Sequence, residues 1–300
     1  MLTCLVTHND LDGLGCDTAV RQVYDNVSSW RVNYDKAHDA IMEAIAKGPD
    51  VLIIADVWTA DRNSATKALV DFPGRLMIFD HHKSTEAAQK HISLKRNECG
   101  YFYAPDVLIP PPYYDGSLVV HGEGTSSTGY ANWFLRANMP AAPDVNQYDT
   151  TGDVDCFGGQ INQLFYEMDV EEVRAILLRE SRQFTDAEEE ILDGVYEAID
   201  AHYEAQKHTL RTYEIGDYKV AVMECTEGKS VIYNRLLFSH DYVTIIDRKK
   251  HSASFRGQYE GCDELAAKFG GGGHPMAAGA QTEATYEEIV EAYKEVLNEV

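Results

Sequence analysis

The chain has 300 residues, of which 44% are hydrophobic and 10% aromatic, and its formal charge is −23. This composition excludes a disordered protein, and the missing basic track excludes a binder of long duplexes, because phosphates are held by cationic side chains. There is no apolar run near the ~20 residues of a membrane span and no signal-peptide pattern. We therefore expect a two-domain cytoplasmic protein that contacts no membrane.

The N-terminal part alternates apolar runs with helical patterns. Strands are predicted at residues 2–7, Val51–Ala55 and 76–79, and helices at residues 13–24 and 62–70. Nearly continuous apolar strands separated by helices are typical of a parallel sheet that is covered on both faces. In such sheets, ligands bind beyond the carboxyl ends of the strands.

The middle of the chain predicts a loop followed by helices. Residues 104–124 include three consecutive prolines, which exclude a helix and a central strand, so a long loop is expected there. A helix is predicted at residues 126–137. Thr185 and Glu188 form a capping box before a long apolar helical periodicity, which predicts a helix that links two domains.

Beyond the linker, the pattern predicts a smaller domain. Its strands are expected at residues 218–223, 242–246 and 253–256, and its last helix at 286–298. The predicted fold class is therefore α/β, with a parallel-sheet domain at residues 1–182, a helical linker at 183–212 and a C-terminal α/β domain at 213–300.

Polar side chains follow each of the three N-terminal strands. They are His8, Asp10 and Asp12 after the first, Asp56 after the second, and Asp80, His81 and His82 after the third. Taken singly, each motif is as compatible with a purely structural role, as a turn, a helix cap or polar surface residues, as it is with metal binding. Carboxylates crowded at one sheet edge repel each other unless divalent cations neutralise them. Oxygen and imidazole ligands suit Mn²⁺, with Mg²⁺ or Co²⁺ as substitutes, so we expect two ions that activate water for attack on phosphorus.

These motifs in this order carry a family resemblance. HNDLDG, IIADVW and FDHHKS, with the distant GGGGHPMAAG, resemble the DHH phosphoesterase superfamily and its DHH-associated substrate-binding domain. The spacing of the first motif is similar to that in the recombination-exonuclease branch. The two-module organisation is similar to that of oligoribonuclease (nanoRNase) and pAp phosphatase members. The resemblance implies a ligand set in which His8 and Asp10 bind one metal, Asp12 and His81 bind the other, and Asp56 bridges both.

The resemblance also implies the catalytic residues and a fourth motif. His82 is expected to face the substrate, with Asp80 beside it in the catalytic triplet. The additional metal-binding aspartate best matches Asp149 in NQYDTTGD, with Asp153 and Asp155 as rivals.

A second set of residues is expected to bind substrate. Four glycines at residues 270–273 are free to take positive φ, and their N–H groups can form an anion nest. The candidates are Gly271, Gly272, Gly273, His274, Asn234 and Arg256, the last matching the phosphate-binding arginine of the family. The basic residues 248–251 are either a phosphate grip or an exposed hairpin end.

The expected function is Mn²⁺-dependent hydrolysis of short oligonucleotides or nucleoside bisphosphates. Alternatives are a cyclic-dinucleotide phosphodiesterase, a single-strand-specific exonuclease and a non-enzymatic, metal-loaded nucleotide sensor. An enzyme is favoured because every metal-ligand position of the resemblance is filled. A homodimer stays open.

Overall fold

The computed structural model describes residues 1–59, 62–82, 85–96, 100–104, 117–122 and 125–297, and the chain divides into the units Met1–Glu188 and Glu189–Val300. The strands of the first unit are β1 (Thr3–His8), β2 (Val27–Val32), β3 (Val51–Ala55), β4 (Arg75–Asp80), β5 (Gly100–Ala104) and β6 (Leu118–Gly122). Its helices are α1 (Leu11–Val23), α2 (Ala37–Ala46), α3 (Arg62–Asp71), α4 (Glu86–Lys95), α5 (Ser127–Leu135), α6 (Ala142–Thr151), α7 (Phe157–Phe165) and α8 (Val170–Leu177).

In the second unit, the strands are β7 (Arg211–Ile215), β8 (Tyr218–Glu224), β9 (Tyr242–Asp247), β10 (Ser252–Gly257), β11 (Gly272–His274) and β12 (Ala277–Gln281). The helices are α9 (Asp186–Gln206), which begins just before the division, α10 (Lys229–Leu237), α11 (Cys262–Lys268) and α12 (Tyr286–Leu297), with a short 3-10 helix at Lys207–Thr209.

The N-terminal strands form a parallel sheet in the order β2-β1-β3-β4-β6-β5. Helices cover both faces, and this burial explains why β1, β3 and β4 read as continuous apolar runs. Ile41, Leu69 and Ile92 of α2, α3 and α4 pack on one face. On the other face, α1 and α5 contribute Val20 and Tyr130. The predicted parallel-sheet architecture is confirmed.

The strand order reverses at β1. The chain runs from β1 to β2 on one side and then returns to β3 on the other side, which places a topological switch point between β1 and β3. Ligands of open α/β sheets bind at such points, outside the carboxyl ends of the strands. His8 ends β1 and Asp56 follows β3, so both lie beside this switch point.

One predicted segment differs from the structure. Within the predicted loop at residues 104–124, Leu118–Gly122 forms the buried strand β6 between β4 and β5. The loop prediction is therefore wrong for these residues, because the prolines that motivated it precede the apolar LVV run and do not interrupt it. The prolines themselves lie outside the described residues.

The C-terminal unit is a mixed sheet in the order β11-β12-β10-β9-β8-β7. Among the strand pairs of this unit that the structure describes, the β8–β9 pair is parallel and the others are antiparallel. Phe255 of β10 packs with Leu265 of α11 and Tyr293 of α12. Asp200 of α9 pairs with Arg235 of α10, so the predicted linker helix packs within this unit. Among the described residues, every helix is too short or too polar to cross a membrane.

Candidate metal centre

The first motif occupies the turn between β1 and α1. Asp10 is the N-cap of α1, and its Oδ1 accepts a hydrogen bond of 2.9 Å from the backbone N–H of Gly13. Its Oδ2 lies 2.5 Å from Nδ1 of His8. An aspartate at an N-cap is locally favourable, because its side chain satisfies an otherwise unpaired helical N–H. The helix start therefore holds Asp10 next to His8 at the sheet edge.

Asp12 is buried and is held by the N-terminus of α5. Its two carboxylate oxygens accept backbone hydrogen bonds of 2.9 Å each from Ser127 and Thr128. The hydroxyl of Thr128 donates to the backbone oxygen of Asp12 at 2.6 Å. The same two helices approach so closely that a Cβ on Gly15 would lie 2.2 Å from Oγ1 of Thr128. A helix N-terminus interacts favourably with a carboxylate, so the first turn of α5 positions the side chain of Asp12.

Asp56 has the most constrained backbone of the site. Its φ is +58°, in the left-handed region that non-glycine residues seldom adopt. Its backbone N–H still bonds to the carbonyl of Phe79 at 3.0 Å, so the turn begins directly at the end of the ladder. Strained backbone of this kind clusters at functional sites. The conformation places a carboxylate that is only 2% exposed between the first and third motifs.

The carboxylate of Asp56 is electrostatically unfavourable in the protein alone. Burial, followed by the charges of Asp12 and Asp10, raises its pKa well above the ordinary value. Its Oδ2 is buried and has no hydrogen-bond partner among the described residues. A buried unpartnered carboxylate oxygen is costly, and a cation would compensate for it.

The third motif contains one carboxylate, which orients a neighbouring side chain, and two histidines with different contacts. Asp80 ends β4, is fully buried, and accepts hydrogen bonds from His82 Nδ1 at 2.8 Å, Thr85 Oγ1 at 2.5 Å and Gln89. Burial alone would raise its pKa, but the hydrogen bond and charge of His82 lower it overall. With its oxygens already occupied, Asp80 is suited to positioning His82, and this geometry favours that role over the predicted catalytic one.

His81 connects the second motif to the fourth. Its Nε2 lies 3.5 Å from Oδ1 of Asp56 and 3.5 Å from Oδ2 of Asp149. Asp149 lies in α6, its Oδ2 is buried without a hydrogen-bond partner among the described residues, and burial with the charges of Asp12 and Asp10 raises its pKa. The rivals Asp153 and Asp155 lie beyond the end of α6. Of the three aspartates, the geometry therefore favours Asp149.

Three groups of ligand atoms converge within 4.8 Å of one another. They are His8, Asp10 and Asp56; Asp12, His81 and Asp149; and Asp56, His81 and His82. The first group contains His8 and Asp10, and the second contains Asp12 and His81, which are the two pairs that the family resemblance implies. Asp56 belongs to the first group and lies 3.5 Å from His81 of the second. Oxygen and imidazole donors, together with two buried carboxylate oxygens that lack a hydrogen-bond partner among the described residues, fit divalent cations such as Mn²⁺ or Mg²⁺.

Sequence reasoning missed one residue of this site. Tyr34 lies between β2 and α2, its ring stacks on His8 with centroids 4.5 Å apart, and its hydroxyl lies 3.1 Å from Nε2 of His82. It stands in the polar stretch RVNYDK, where no periodicity or motif distinguishes it from a surface tyrosine.

The raised pKa values predict how stability depends on pH. Asp56 and Asp149 have folded-state pKa values above the unfolded ones, so their contribution to stability is complete at low pH and is lost as pH rises through the folded values. The melting temperature of the metal-free protein should therefore fall as pH rises above about 4, the ordinary pKa of an aspartate. Added Mn²⁺ should raise it more at pH 8 than at pH 5.5, because binding displaces protons. Calorimetric scans at both pH values test this, and an equal Mn²⁺ effect would contradict it.

The glycine segment differs from the predicted anion nest. The N–H groups of Gly270 and Gly271 donate to Ala267 and Ala266 at 3.0 and 2.9 Å and so cap α11. Gly272–His274 then pairs with β12 as a strand. Gly270 and Gly273 take the positive φ that the sequence allows, but the amides of Gly270 and Gly271 do not contribute to an anion nest, because they satisfy the last carbonyls of a helix. A Cβ on Gly271 would lie 2.1 Å from the backbone oxygen of Gly279, so close packing also requires glycine there.

The other predicted substrate residues lie on the same unit. Arg256 is in β10, with its guanidinium 5.2 Å from the ring centre of Tyr233, and Asn234 is half-buried next to that tyrosine on α10. His274 is exposed at the end of β11. In the basic segment, Arg248 and His251 pair with Glu224 and Glu283 at the β9–β10 turn, which favours a hairpin end over a phosphate grip.

Comparisons with known proteins agree with this architecture. No protein-family model matches the chain. Oligoribonuclease NrnB from Bacillus subtilis strain 168 is 25% identical, over 97% of this chain and 76% of that protein. Exonuclease RecJ bound to manganese aligns with a TM-score of 0.56 at 14% identity, over 99% of this chain and 90% of RecJ. PggH, a pGpG-specific phosphodiesterase from Vibrio cholerae, aligns with a TM-score of 0.50 at 16% identity, over 99% and 98%. The structural similarities show the fold.

Proposed function

We infer that this chain, which belongs to the DHH phosphoesterase superfamily, is a metal-dependent phosphoesterase that hydrolyses phosphodiester bonds in short nucleic acids. The observation that carries the proposal is the pair of ligand groups that adjoin Asp56, one of which contains it and the other of which approaches it through His81 at 3.5 Å. The oligoribonuclease and phosphodiesterase activities named for the relative and the structural neighbour support it.

In this proposal, each side chain has a defined task. His8 and Asp10 would hold one divalent cation, Asp12, His81 and Asp149 would hold the other, and Asp56 would contribute its carboxylate to both. The bound pair supplies Lewis-acid activation of water and neutralises charge on the phosphate. His82, whose ring is oriented by Asp80 through Nδ1, would offer its Nε2–H to the leaving oxygen when substrate is bound, in place of the contact with the Tyr34 hydroxyl. We propose Mn²⁺ as the ion, with Mg²⁺ or Co²⁺ as substitutes.

The proposed substrates are short because the chain offers little cationic surface. Its 49 acidic residues outnumber its 26 basic ones, so an extended phosphate backbone is repelled except where side chains grip it locally. We propose that Arg256, His274 and Asn234 supply that grip. A guanidinium can bind a phosphate through two parallel hydrogen bonds, which suits Arg256 to a terminal phosphate.

A substrate panel tests the proposal. The purified protein with Mn²⁺ is assayed on pAp, linear dinucleotides, five-residue RNA, a 20-nucleotide single strand, cyclic dinucleotides and pyrophosphate. We expect turnover of the short linear nucleotides and at least roughly tenfold slower cleavage of the 20-mer, since only terminal phosphates are gripped. Equal or faster cleavage of the 20-mer would favour an exonuclease. Tight nucleotide binding without turnover would favour a metal-loaded sensor.

Arg256→Ala separates substrate grip from chemistry in the same assay. Loss of a charged hydrogen bond costs roughly 1.5–3 kcal/mol, so KM for a dinucleotide should rise roughly 10- to 150-fold. Mn²⁺ affinity should hold. Arg211→Ala, on the edge strand β7, is the matched control and should leave KM unchanged. An unchanged KM in Arg256→Ala would remove this residue from the proposed grip.

A further inference from the structure

Tyr34 joins two residues of the centre that come from different motifs. We propose that Tyr34 is a positioning residue. Its hydroxyl holds the ring of His82 toward the phosphate, and its ring packs on His8 and keeps that histidine oriented for metal binding. The inference rests on the proposed function, because it assigns Tyr34 a part in that same site.

The backbone explains why Tyr34 reaches both histidines. The edge strand β2 runs parallel to β1, with Val32 opposite His8. The chain therefore leaves the sheet beside His8, and Tyr34 follows immediately. Its ring lies nearly parallel to that of His8, at 28°, and meets the ring of His82 edge-on at a centroid distance of 6.0 Å.

Hydrogen bonds hold both nitrogens of His82. Nδ1 lies 2.8 Å from Oδ1 of Asp80, and Nε2 lies 3.1 Å from the hydroxyl of Tyr34. Because an ionised carboxylate only accepts, Nδ1 carries a proton. Nε2 then accepts from the tyrosine when the ring is neutral and donates to it when the ring is charged. The phenol hydroxyl can both donate and accept a hydrogen bond, so it can serve in either state.

These two contacts predict separable effects. The hydroxyl acts on His82 alone, whereas the ring face acts on His8. Tyr34→Phe removes the first contact and keeps the second, and Tyr34→Leu removes both. The first variant should therefore affect chemistry, and the second should affect chemistry and metal binding together.

The experiment measures three quantities in the full chain. For Tyr34→Phe, we expect kcat on the best substrate to fall roughly three- to tenfold, the scale of one hydrogen bond, with KM and Mn²⁺ affinity unchanged within about twofold. For Tyr34→Leu, Mn²⁺ affinity should also fall roughly two- to tenfold, the scale of a ring–ring contact. Tyr259→Phe, a half-exposed tyrosine of the C-terminal unit, is the control and should match the wild type.

A spectroscopic readout tests the contact without activity. In ¹⁵N NMR of the metal-free protein, Tyr34→Phe should shift the His82 Nε2 resonance, which is assigned by its loss in His82→Gln, whereas Tyr259→Phe should leave it in place. An unmoved resonance together with a wild-type kcat would overturn the inference. A raised KM at unchanged kcat would also overturn it, because Tyr34 would then contact substrate directly. If the wild type hydrolyses no phosphate ester, the proposed function fails, while the resonance and the Mn²⁺ titration still decide the role of Tyr34.

Discussion

Asp56→Asn should lower kcat by at least roughly 10³-fold, because a neutral amide cannot neutralise the two cations that we assign to this carboxylate. Asp56 takes part in two of the three ligand groups, so the loss should extend to Mn²⁺ binding. Asparagine has nearly the same shape and also tolerates the left-handed backbone at φ +58°, so the variant should fold.

Thermal unfolding supplies the independent check on Asp56→Asn. Removing a buried charge that Asp12 and Asp10 repel should raise the melting temperature of the metal-free protein and abolish its increase on adding Mn²⁺. Asp25→Asn, at an exposed position between α1 and β2, is the control for both readouts. Wild-type turnover in Asp56→Asn would disprove a bridging role.

His82→Ala should lower kcat by roughly 10²-fold or more, the scale of a lost acid–base group. Metal content should hold, because hydrogen bonds to Asp80 and Tyr34 already hold the two ring nitrogens of His82. Activity assays with parallel metal analysis distinguish the two effects. His91→Ala, an exposed histidine on α4, is the matched control. Loss of a metal ion from His82→Ala would make His82 a ligand and would exchange the roles of the two histidines.

The sequence predicts the parallel sheet and the strand ends well for a physical reason. β1, β3 and β4 are buried on both faces, so each appears as an apolar run that stops where polar residues begin. Parallel strands bring those ends to one edge, so their convergence follows without knowledge of the loops.

Other features depend on tertiary contacts that no local pattern encodes. The edge strand β2 is only half-buried along its length, so its sequence VSSWRV carries no clear alternation of apolar and polar residues. Without a predicted strand there, no pattern marks Tyr34, which follows it. Asp149, Asp153 and Asp155 are indistinguishable by spacing, and only the packing of α6 brings Asp149 to His81. The capping role of Gly270 and Gly271 becomes visible only where α11 ends.

The close approach of α1 and α5 gives the first motif a structural role in addition to supplying metal ligands. Asp12 is bonded to the first turn of α5, and Gly15 leaves no space for a methyl group against Thr128. Any side chain at position 15 would push α5 away from α1. The backbone amides of Ser127 and Thr128 would then move away from the carboxylate of Asp12. Gly15, the final glycine of HNDLDGLG, therefore sets the distance between α1 and α5, and with it the distance between the metal ligand Asp12 and the helix that holds it.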